Sequence, residues 1–195
     1  MQTWPPKLSV SYPMVSGRWY DQNTSGVANV GTFPRDTGEI WFVPFTNWSL
    51  ATQTYAQIAV DLDNNATGAD VSAHVGIYRD SNGVPTTKLT DGLLTLPNGA
   101  SGTPQAAINQ PLQTGLYWLA ITVSDTVTLG GWDAGSAAQG FGLLGDSNAA
   151  ATASNIPKFW GWTGAFVFGP LPEDAGTLTL SPDSADIPRI VLRVL

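Results

Sequence analysis

The alternation of side chains is clearest over seven residues in the second half of the chain, which read Tyr117-Trp118-Leu119-Ala120-Ile121-Thr122-Val123. Successive side chains of a β-strand point to opposite faces of the sheet. One face of this segment then carries Tyr117, Leu119, Ile121 and Val123, and the other carries Trp118, Ala120 and Thr122. A period of two, in place of the 3.6-residue period of a helix, predicts a strand here.

Three further segments follow the same pattern, at residues 56–62, 71–78 and 187–195. Turn-forming residues that tolerate positive φ separate the strand-like segments, at residues 63–68, 80–83 and 96–99. No window of about 12 residues has a helical period. The sequence therefore predicts an all-β fold, an antiparallel β-sandwich of jelly-roll-like type with little or no helix.

The chain has 195 residues, of which 43% are hydrophobic and eight are Trp. This length buries a substantial core as one domain, and disordered chains lack so much apolar surface. Near the start, Trp4-Pro5-Pro6 favours a polyproline-like conformation. We expect an extended N-terminal arm over residues 1–16 and a single β-sandwich domain over residues 17–195.

Charged residues make up only 12% of the chain, and the net charge is −7. The eight Lys and Arg residues are scattered, so no basic cluster is present to neutralise phosphates. We therefore expect no nucleic-acid partner. No apolar run approaches the ~20 residues of a membrane span, which predicts no membrane insertion, and the lack of Cys excludes disulfides and thiolate metal sites.

Residues 124–165 are rich in Gly, Ala, Ser and Asn, and a long irregular segment in a compact domain often carries function. A Trp face stacks on the C–H face of a sugar, and nearby Asp and Asn side chains hydrogen-bond its hydroxyls. The candidate glycan-binding residues are Trp132, Asp133, Asn155, Trp160 and Trp162. A place in the core or at a subunit contact is the more common alternative for large aromatic residues, and it is the role expected of Trp41 and Trp118.

The spacing Asp61-x-Asp63-x-Asn65 matches the oxygen ligands that open a calcium loop. The rest of that motif is missing, because Ala66 stands at the sharp-turn glycine and Ser72 at the bidentate glutamate. A polar hairpin connection is the favoured interpretation. An irregular calcium site at Asp61, Asp63 and Asn65 remains the alternative, and no other cofactor is expected.

Catalytic patterns are sparse. His74 is the only histidine, so both a Ser-His-Asp triad and a multi-histidine metal site would depend on it. Its place in the middle of a predicted strand favours a structural role. Glycan cleavage needs two carboxyl groups about 5–9.5 Å apart, and no spacing singles out a pair among Glu39, Glu173 and the aspartates. The protein is not expected to be an enzyme.

Four sequence segments occur in order along the chain: Gly17-Arg18-Trp19-Tyr20, Ile40-Trp41-Phe42-Val43-Pro44-Phe45, Val75-Gly76-Ile77-Tyr78-Arg79-Asp80-Ser81-Asn82-Gly83-Val84-Pro85 and Leu116-Tyr117-Trp118-Leu119-Ala120. Together they resemble the β-sandwich domain of bacteriophage tail-fibre and minor tail proteins. The resemblance implies virion assembly, often as a homotrimer, and recognition of a host surface. That family has no agreed catalytic or binding motif, so the resemblance assigns no site residue.

The predicted function is that of a phage virion component, a tail-fibre or minor tail protein for host attachment. Its expected partners are other copies of itself in a homotrimer, other virion proteins, and a glycan or protein of the host surface. Its expected location is the virion, assembled in the host cytoplasm. A purely structural virion protein, such as a capsid decoration or tail-assembly protein, is the alternative, and a glycan depolymerase is the least favoured one.

Overall fold

The computed structural model describes residues 14–20, 30–35, 37–132, 161–183 and 187–195. These residues form fourteen β-strands and one 3₁₀-helix, Ala175–Thr177. In chain order the strands β1 to β14 are Trp19–Tyr20, Val30–Arg35, Glu39–Asn47, Gln53–Val60, Leu62–Asn64, Val71–Ser81, Val84–Leu96, Gln105–Leu112, Gly115–Val123, Val127–Trp132, Gly161–Ala165, Leu180–Asp183, Ile187–Pro188 and Ile190–Val194.

The strands form three antiparallel sheets. The six-stranded sheet has the order β12-β11-β3-β9-β6-β7, and the four-stranded sheet has the order β1-β14-β4-β8. A smaller sheet has the order β13-β10-β2, and β5 also pairs with β10. Strand β9 lies inside the six-stranded sheet, where Leu119 is opposite Val43 of β3 on one side and Ile77 of β6 on the other.

The main core combines one face of the six-stranded sheet with the inner faces of the other two sheets. Tyr117, Leu119, Ile121 and Val123 of β9 all belong to it, as the alternation predicts. Among its members from the four-stranded sheet are Tyr55, Ile58 and Val60 of β4 and Ile190 and Leu192 of β14. Each fully buried side chain of this size contributes about 1.5–3 kcal/mol to folding.

A second core covers the outer face of the six-stranded sheet. Its buried residues are Ile40, Phe42, Tyr78, Trp118, Ala120, Leu171 and Ala175. The last two belong to residues 166–178, here called the covering segment. The Tyr78 hydroxyl donates to the carbonyl of Pro172 (2.6 Å), and Lys88 Nζ donates to the carbonyl of Leu171 (2.9 Å). The sheet is therefore buried on both faces, which explains why β9 is apolar at nearly every position.

The hairpin between β6 and β7 turns at Asn82 and Gly83, inside a predicted loop. Both residues have positive φ, 54° and 81° respectively, as the two-residue type I′ turn requires. Ser81 and Val84 pair on either side of the turn. The indole N–H of Trp118 donates to Asp80 Oδ1 (2.8 Å) beside the turn, so the hairpin end is tied to β9.

The prediction of an all-β antiparallel sandwich is confirmed, and Trp41 and Trp118 are buried, as expected for packing residues. The boundaries differ in two places, because the predicted strands over residues 56–62 and 187–195 are interrupted at Asp61 and Arg189. At each interruption the chain passes between the four-stranded sheet and the smaller sheet. Alternation does not reveal the change, because the side chains keep sorting onto two faces across it.

Residues 1–13 of the predicted arm lie outside the described residues. Met14 lies against the sandwich, where its Sδ accepts from the Tyr55 hydroxyl (2.9 Å). The backbone N–H of Val15 donates to the Tyr20 hydroxyl (2.7 Å). Within the described ranges, no helix has the length and hydrophobicity needed to cross a membrane.

Candidate functional site

A groove opens on the outer face of the four-stranded sheet, close to the smaller sheet. Its volume is about 180 Å³. The described residues that line it are Trp19, Ala59, Asp61, Thr103, Arg189 and Val191. Strands β1, β4 and β14 position Trp19, Ala59 and Val191, and Asp61, Thr103 and Arg189 lie in connections between strands. The groove thus brings together one large aromatic residue, two apolar residues and three polar ones.

Three backbone hydrogen bonds organise the polar end of the groove. The N–H of Asp61 donates to the carbonyl of Arg189 (3.2 Å), and the N–H of Arg189 donates to the carbonyl of Gly130 (2.9 Å). The N–H of Gly130 donates back to the carbonyl of Asp61 (2.9 Å). These bonds close a ring at the place where the chain passes between sheets. Asp61 and Arg189 are therefore held side by side although they are distant in sequence.

The side chains of Asp61 and Arg189 form an ion pair at this end of the groove. Arg189 Nη1 lies 3.7 Å from Asp61 Oδ2, and the two side chains are 38% and 30% exposed, respectively. This distance is longer than a hydrogen bond. The contact therefore leaves lone pairs of the carboxylate able to accept hydrogen bonds from a ligand.

Trp19 supplies the aromatic part of the groove. It lies on β1, and its partner across the ladder on β14 is Arg193. Arg193 Nη1 donates to Gln57 Oε1 (2.8 Å), and its Nε donates to the carbonyl of Gly17 (3.2 Å). These bonds anchor the short strand. Trp19 is 40% exposed, so a large part of it is accessible to a ligand.

Thr103 reaches the groove from the connection between β7 and β8. The carbonyls of its neighbours Gly102 and Pro104 accept hydrogen bonds from the N–H groups of Leu62 (2.7 Å) and Val60 (3.2 Å). The backbone on both sides of Thr103 is therefore fixed to the strands that flank Asp61. The exposed Thr103 adds a hydroxyl, which both donates and accepts, to the polar set.

Of the five predicted glycan-binding residues, only Trp162 has a described side chain, and it does not line this groove. Asp133, Asn155 and Trp160 lie outside the described residues, and Trp132 is described only as the last residue of β10, paired with Ile187 and Val30. Trp162 packs against the second core. Its indole N–H donates to the carbonyl of Gly83 (2.8 Å), which is the packing role that was the alternative for it.

The three predicted calcium ligands differ in their exposure and in their hydrogen bonds. Asp61 is in the groove, and Asp63 is exposed. Asn65 is fully buried, and its Nδ2 donates to the carbonyls of Leu96 (2.6 Å) and Ala69 (3.0 Å). Its Oδ1 accepts from the N–H (3.2 Å) and the hydroxyl (2.8 Å) of Thr67. The Asn65 amide is thus used to close the loop. This loop joins β5 of the smaller sheet to β6 of the six-stranded sheet, and the two strands do not pair with each other, so the polar connection is not the predicted hairpin.

No three His, Cys, Asp or Glu side chains come together as a metal site within the described part of the chain. His74 is partly buried, and its ring lies 5.3 Å from that of Phe168 in the covering segment. Burial lowers the pKa of His74, the carboxylate of Asp91 opposes this shift, and the ammonium of Lys88 adds to it. His74 therefore has the surroundings of a packing residue.

A comparison of the chain with protein-family models and with curated proteins finds no match. The groove is therefore interpreted from its own geometry.

Sequence reasoning missed Trp19, Thr103 and Arg189 as site residues. Trp19 belongs to one of the sequence segments on which the family resemblance rests, but nothing next to it in sequence marks a binding site. Its polar companions come from residues 61, 103 and 189, which only the pairing of β1, β14 and β4 brings to one place. No local motif contains that information.

Proposed function

We propose that the protein is an attachment component of a bacteriophage virion, a tail-fibre or minor tail protein, and that it binds a host-surface glycan in the groove beside Trp19. The four sequence segments that resemble phage tail proteins support the virion role. The carrying observation for glycan binding is that the partly exposed Trp19 lines the same groove as the Asp61–Arg189 ion pair.

The chemistry of the groove suits a sugar. The C–H groups on one face of a pyranose are weakly positive, and the face of an indole ring is negative, so the two surfaces attract. Asp61 accepts hydrogen bonds, Arg189 donates them, and Thr103 does both. A few polar groups around an apolar surface is the usual composition of a small-molecule site.

The groove favours binding over cleavage. Hydrolysis of a glycosidic bond requires two carboxyl groups, one on each side of the bond. Among the described residues that line the groove, Asp61 is the only acidic one. These residues offer a ligand one carboxylate, which is enough to orient a sugar and not enough for the usual hydrolytic mechanisms.

Isothermal titration calorimetry with short oligosaccharides tests this proposal. A short ligand occupies one groove at a time, so the experiment measures the affinity of a single site without avidity. We expect Trp19→Ala to weaken binding about tenfold, which corresponds to ~1.4 kcal/mol. Trp48→Ala is the matched control, since Trp48 is 48% exposed and does not line the groove. Equal affinity in the wild type and Trp19→Ala would contradict a glycan site at this groove.

A specific observation favours the structural alternative as a second candidate. The loop between β3 and β4 exposes Trp48 and Leu50, which are 48% and 62% accessible. Between them, Ser49 is buried, and its N–H donates to Oδ1 of the buried Asn47 (3.3 Å). Asn47 Nδ2 in turn donates to the carbonyl of Leu112 (3.0 Å). The loop is therefore held in a form that presents two apolar side chains to solvent.

We propose that other copies of the chain cover this pair in a homotrimer. Residues 47–54 contain no charged side chain, so copies that each carry −7 meet there with less electrostatic repulsion than elsewhere. Light scattering after size exclusion should give three times the 20.6 kDa protomer mass. The double change Trp48→Ala with Leu50→Ser should give monomers, and Trp19→Ala should not. A monomeric wild type would contradict this assembly.

A further inference from the structure

The dipeptide Asn-Gly occurs twice in the chain, at residues 82–83 and 98–99. Because glycine has no Cβ atom to shield its backbone nitrogen, this nitrogen can attack the side-chain amide of the preceding asparagine. The structure places the two dipeptides in different surroundings. We infer that the tip of the β6–β7 hairpin is a modification site, at which Asn82 converts spontaneously to aspartate and isoaspartate through a succinimide.

The reaction consumes only water. The Gly83 nitrogen forms a bond to Asn82 Cγ, the bond from Cγ to Nδ2 breaks, and ammonia leaves with the proton of the Gly83 N–H group. Water then opens the succinimide ring. Cleavage between the nitrogen and Cγ gives aspartate, and cleavage between the nitrogen and the Asn82 carbonyl carbon gives isoaspartate.

The Asn82 side chain is free to react. It is exposed, and within the described part of the chain its carboxamide makes no hydrogen bond. The N–H of Gly83 donates to Asp80 Oδ2 over 3.3 Å, which is longer than the usual 2.7–3.2 Å. This weak bond offers little resistance to movement of the attacking nitrogen.

The backbone of the turn is also close to the reactive conformation. Ring closure places the Gly83 nitrogen on the same side of the Asn82 Cα–C bond as Cβ, so the peptide between the two residues must rotate. That rotation converts the type I′ turn into type II′, and the φ of Asn82, 54°, is positive in both. The indole N–H of Trp162 holds the Gly83 carbonyl, which belongs to the next peptide, and so does not oppose the rotation.

Asn98 also precedes a glycine, but it is held in place. Its Oδ1 accepts from the N–H of Gly68 (3.1 Å), and its own N–H donates to Asp70 Oδ1 (2.9 Å). The N–H of Gly99 donates to the carbonyl of Asn65 over 2.6 Å. Attack on Asn98 must break the bonds of its carboxamide and of the Gly99 nitrogen, so it should be slower than attack on Asn82.

The two products should affect the hairpin differently. Asp-Gly suits a type I′ turn as well as Asn-Gly does, so aspartate only adds a negative charge at the tip. Isoaspartate adds a methylene group to the backbone, which a two-residue loop between the paired Ser81 and Val84 does not accommodate. The Gly83 carbonyl then moves away from the Trp162 indole, which loosens the contact between the hairpin tip and β11.

Peptide mapping by mass spectrometry, after incubation of wild-type protein at mildly alkaline pH, tests this inference with Asn98 as the internal control. In folded protein we expect Asn82 to convert about tenfold faster than Asn98, a difference of ~1.4 kcal/mol in activation free energy. In protein unfolded by guanidinium the two rates should lie close together, because only the glycine neighbours remain. Conversion of Asn82 no faster than that of Asn98 in folded protein would overturn the inference.

The Asp80→Ala variant tests the rotation of the peptide. It removes the acceptor of the Gly83 N–H, so Asn82 should convert several-fold faster than in the wild type. An Asn98 rate equal to that of the wild type shows that the variant is folded. An unchanged or slower conversion of Asn82 in the folded variant would contradict the rotation step. If the variant does not fold, the wild-type comparison of Asn82 with Asn98 still decides the inference.

Discussion

The Asp61 carboxyl group occupies the space that a side chain at position 130 would fill. A Cβ atom at Gly130 would lie 2.6 Å from Asp61 Cγ and 2.6 Å from its Oδ2. Real Cβ contacts are not this short, so any other residue at position 130 displaces the carboxylate. Gly130 therefore positions Asp61 in two ways, through the backbone hydrogen bond to its carbonyl and through the absence of a side chain.

We expect Gly130→Ala to weaken glycan binding about tenfold and to lower the free energy of unfolding by only ~1–2 kcal/mol. The carboxylate is the mobile end of a partly exposed side chain, so it moves aside without disrupting the core. Titration calorimetry and urea unfolding measure the two effects. Gly169→Ala is the control, because its Cβ would make only an ordinary 3.9 Å contact. Unchanged affinity in Gly130→Ala would show that the position of Asp61 does not matter for binding.

Replacing Asn65 with Ala should destabilise the protein by ~2–3 kcal/mol, because the buried carbonyl of Leu96 loses this donor and the bonds from Asn65 to Ala69 and Thr67 that close the loop are lost as well. Thermal or urea unfolding with added calcium, and again with a chelator, gives the measurement. We expect the same loss under both conditions. A loss that appears only in the presence of calcium would instead support the calcium site predicted at Asp61, Asp63 and Asn65.

Lys88 fastens the covering segment to the edge strand β7. Its ammonium lies 2.9 Å from Glu173 Oε1 and 3.3 Å from Asp91 Oδ2. Burial alone would lower the pKa of Lys88, but its hydrogen bonds to Glu173 and Asp91 outweigh burial and raise the pKa. The ammonium therefore stays charged at neutral pH, where it also donates to the carbonyl of Leu171.

The Lys88→Met variant keeps the aliphatic stem and removes the ammonium, so it should lose ~1–3 kcal/mol of stability by leaving the carbonyl of Leu171 without this donor. Glu173→Gln is the matched comparison, because that carboxylate side chain is 85% exposed and should contribute less than ~0.5 kcal/mol. Denaturant unfolding measures both. Equal losses would mean that the exposed ion pair, and not the bond to the covering segment, holds Lys88.

Stability should fall as the pH drops below about 6.5, the ordinary pKa of histidine. Burial lowers the pKa of His74 in the folded protein, so the unfolded chain binds the proton more readily, and protonation favours unfolding. The contribution is complete above pH 6.5 and is lost as the pH falls toward the lowered pKa. His74→Gln should flatten the unfolding free energy between pH 7 and 6, above the range where most carboxylates titrate. An unchanged slope in that variant would contradict this assignment.

The alternation of side chains identified the strands, because each side chain of a strand points either into the core or away from it. Residues 117–123 and 71–78 lie within β9 and β6, and the Asn82-Gly83 turn joins β6 to β7. The same pattern does not distinguish a sheet face that meets solvent from one that meets a second core. Trp118 and Phe42 are buried under residues 166–178, a contact that no local period describes.

The chain by itself determined the all-β class, the positions of the turns and the scarcity of groups for catalysis, because these follow from neighbouring residues and from composition. Only the tertiary structure brought together the residues of the candidate groove. Trp19, Asp61 and Arg189 are brought together by antiparallel pairing between the beginning and the end of the chain, and by the passage of two strands from one sheet to the next. This pairing between distant strands depends on the packing of the whole core, so the groove forms only when the fold is complete.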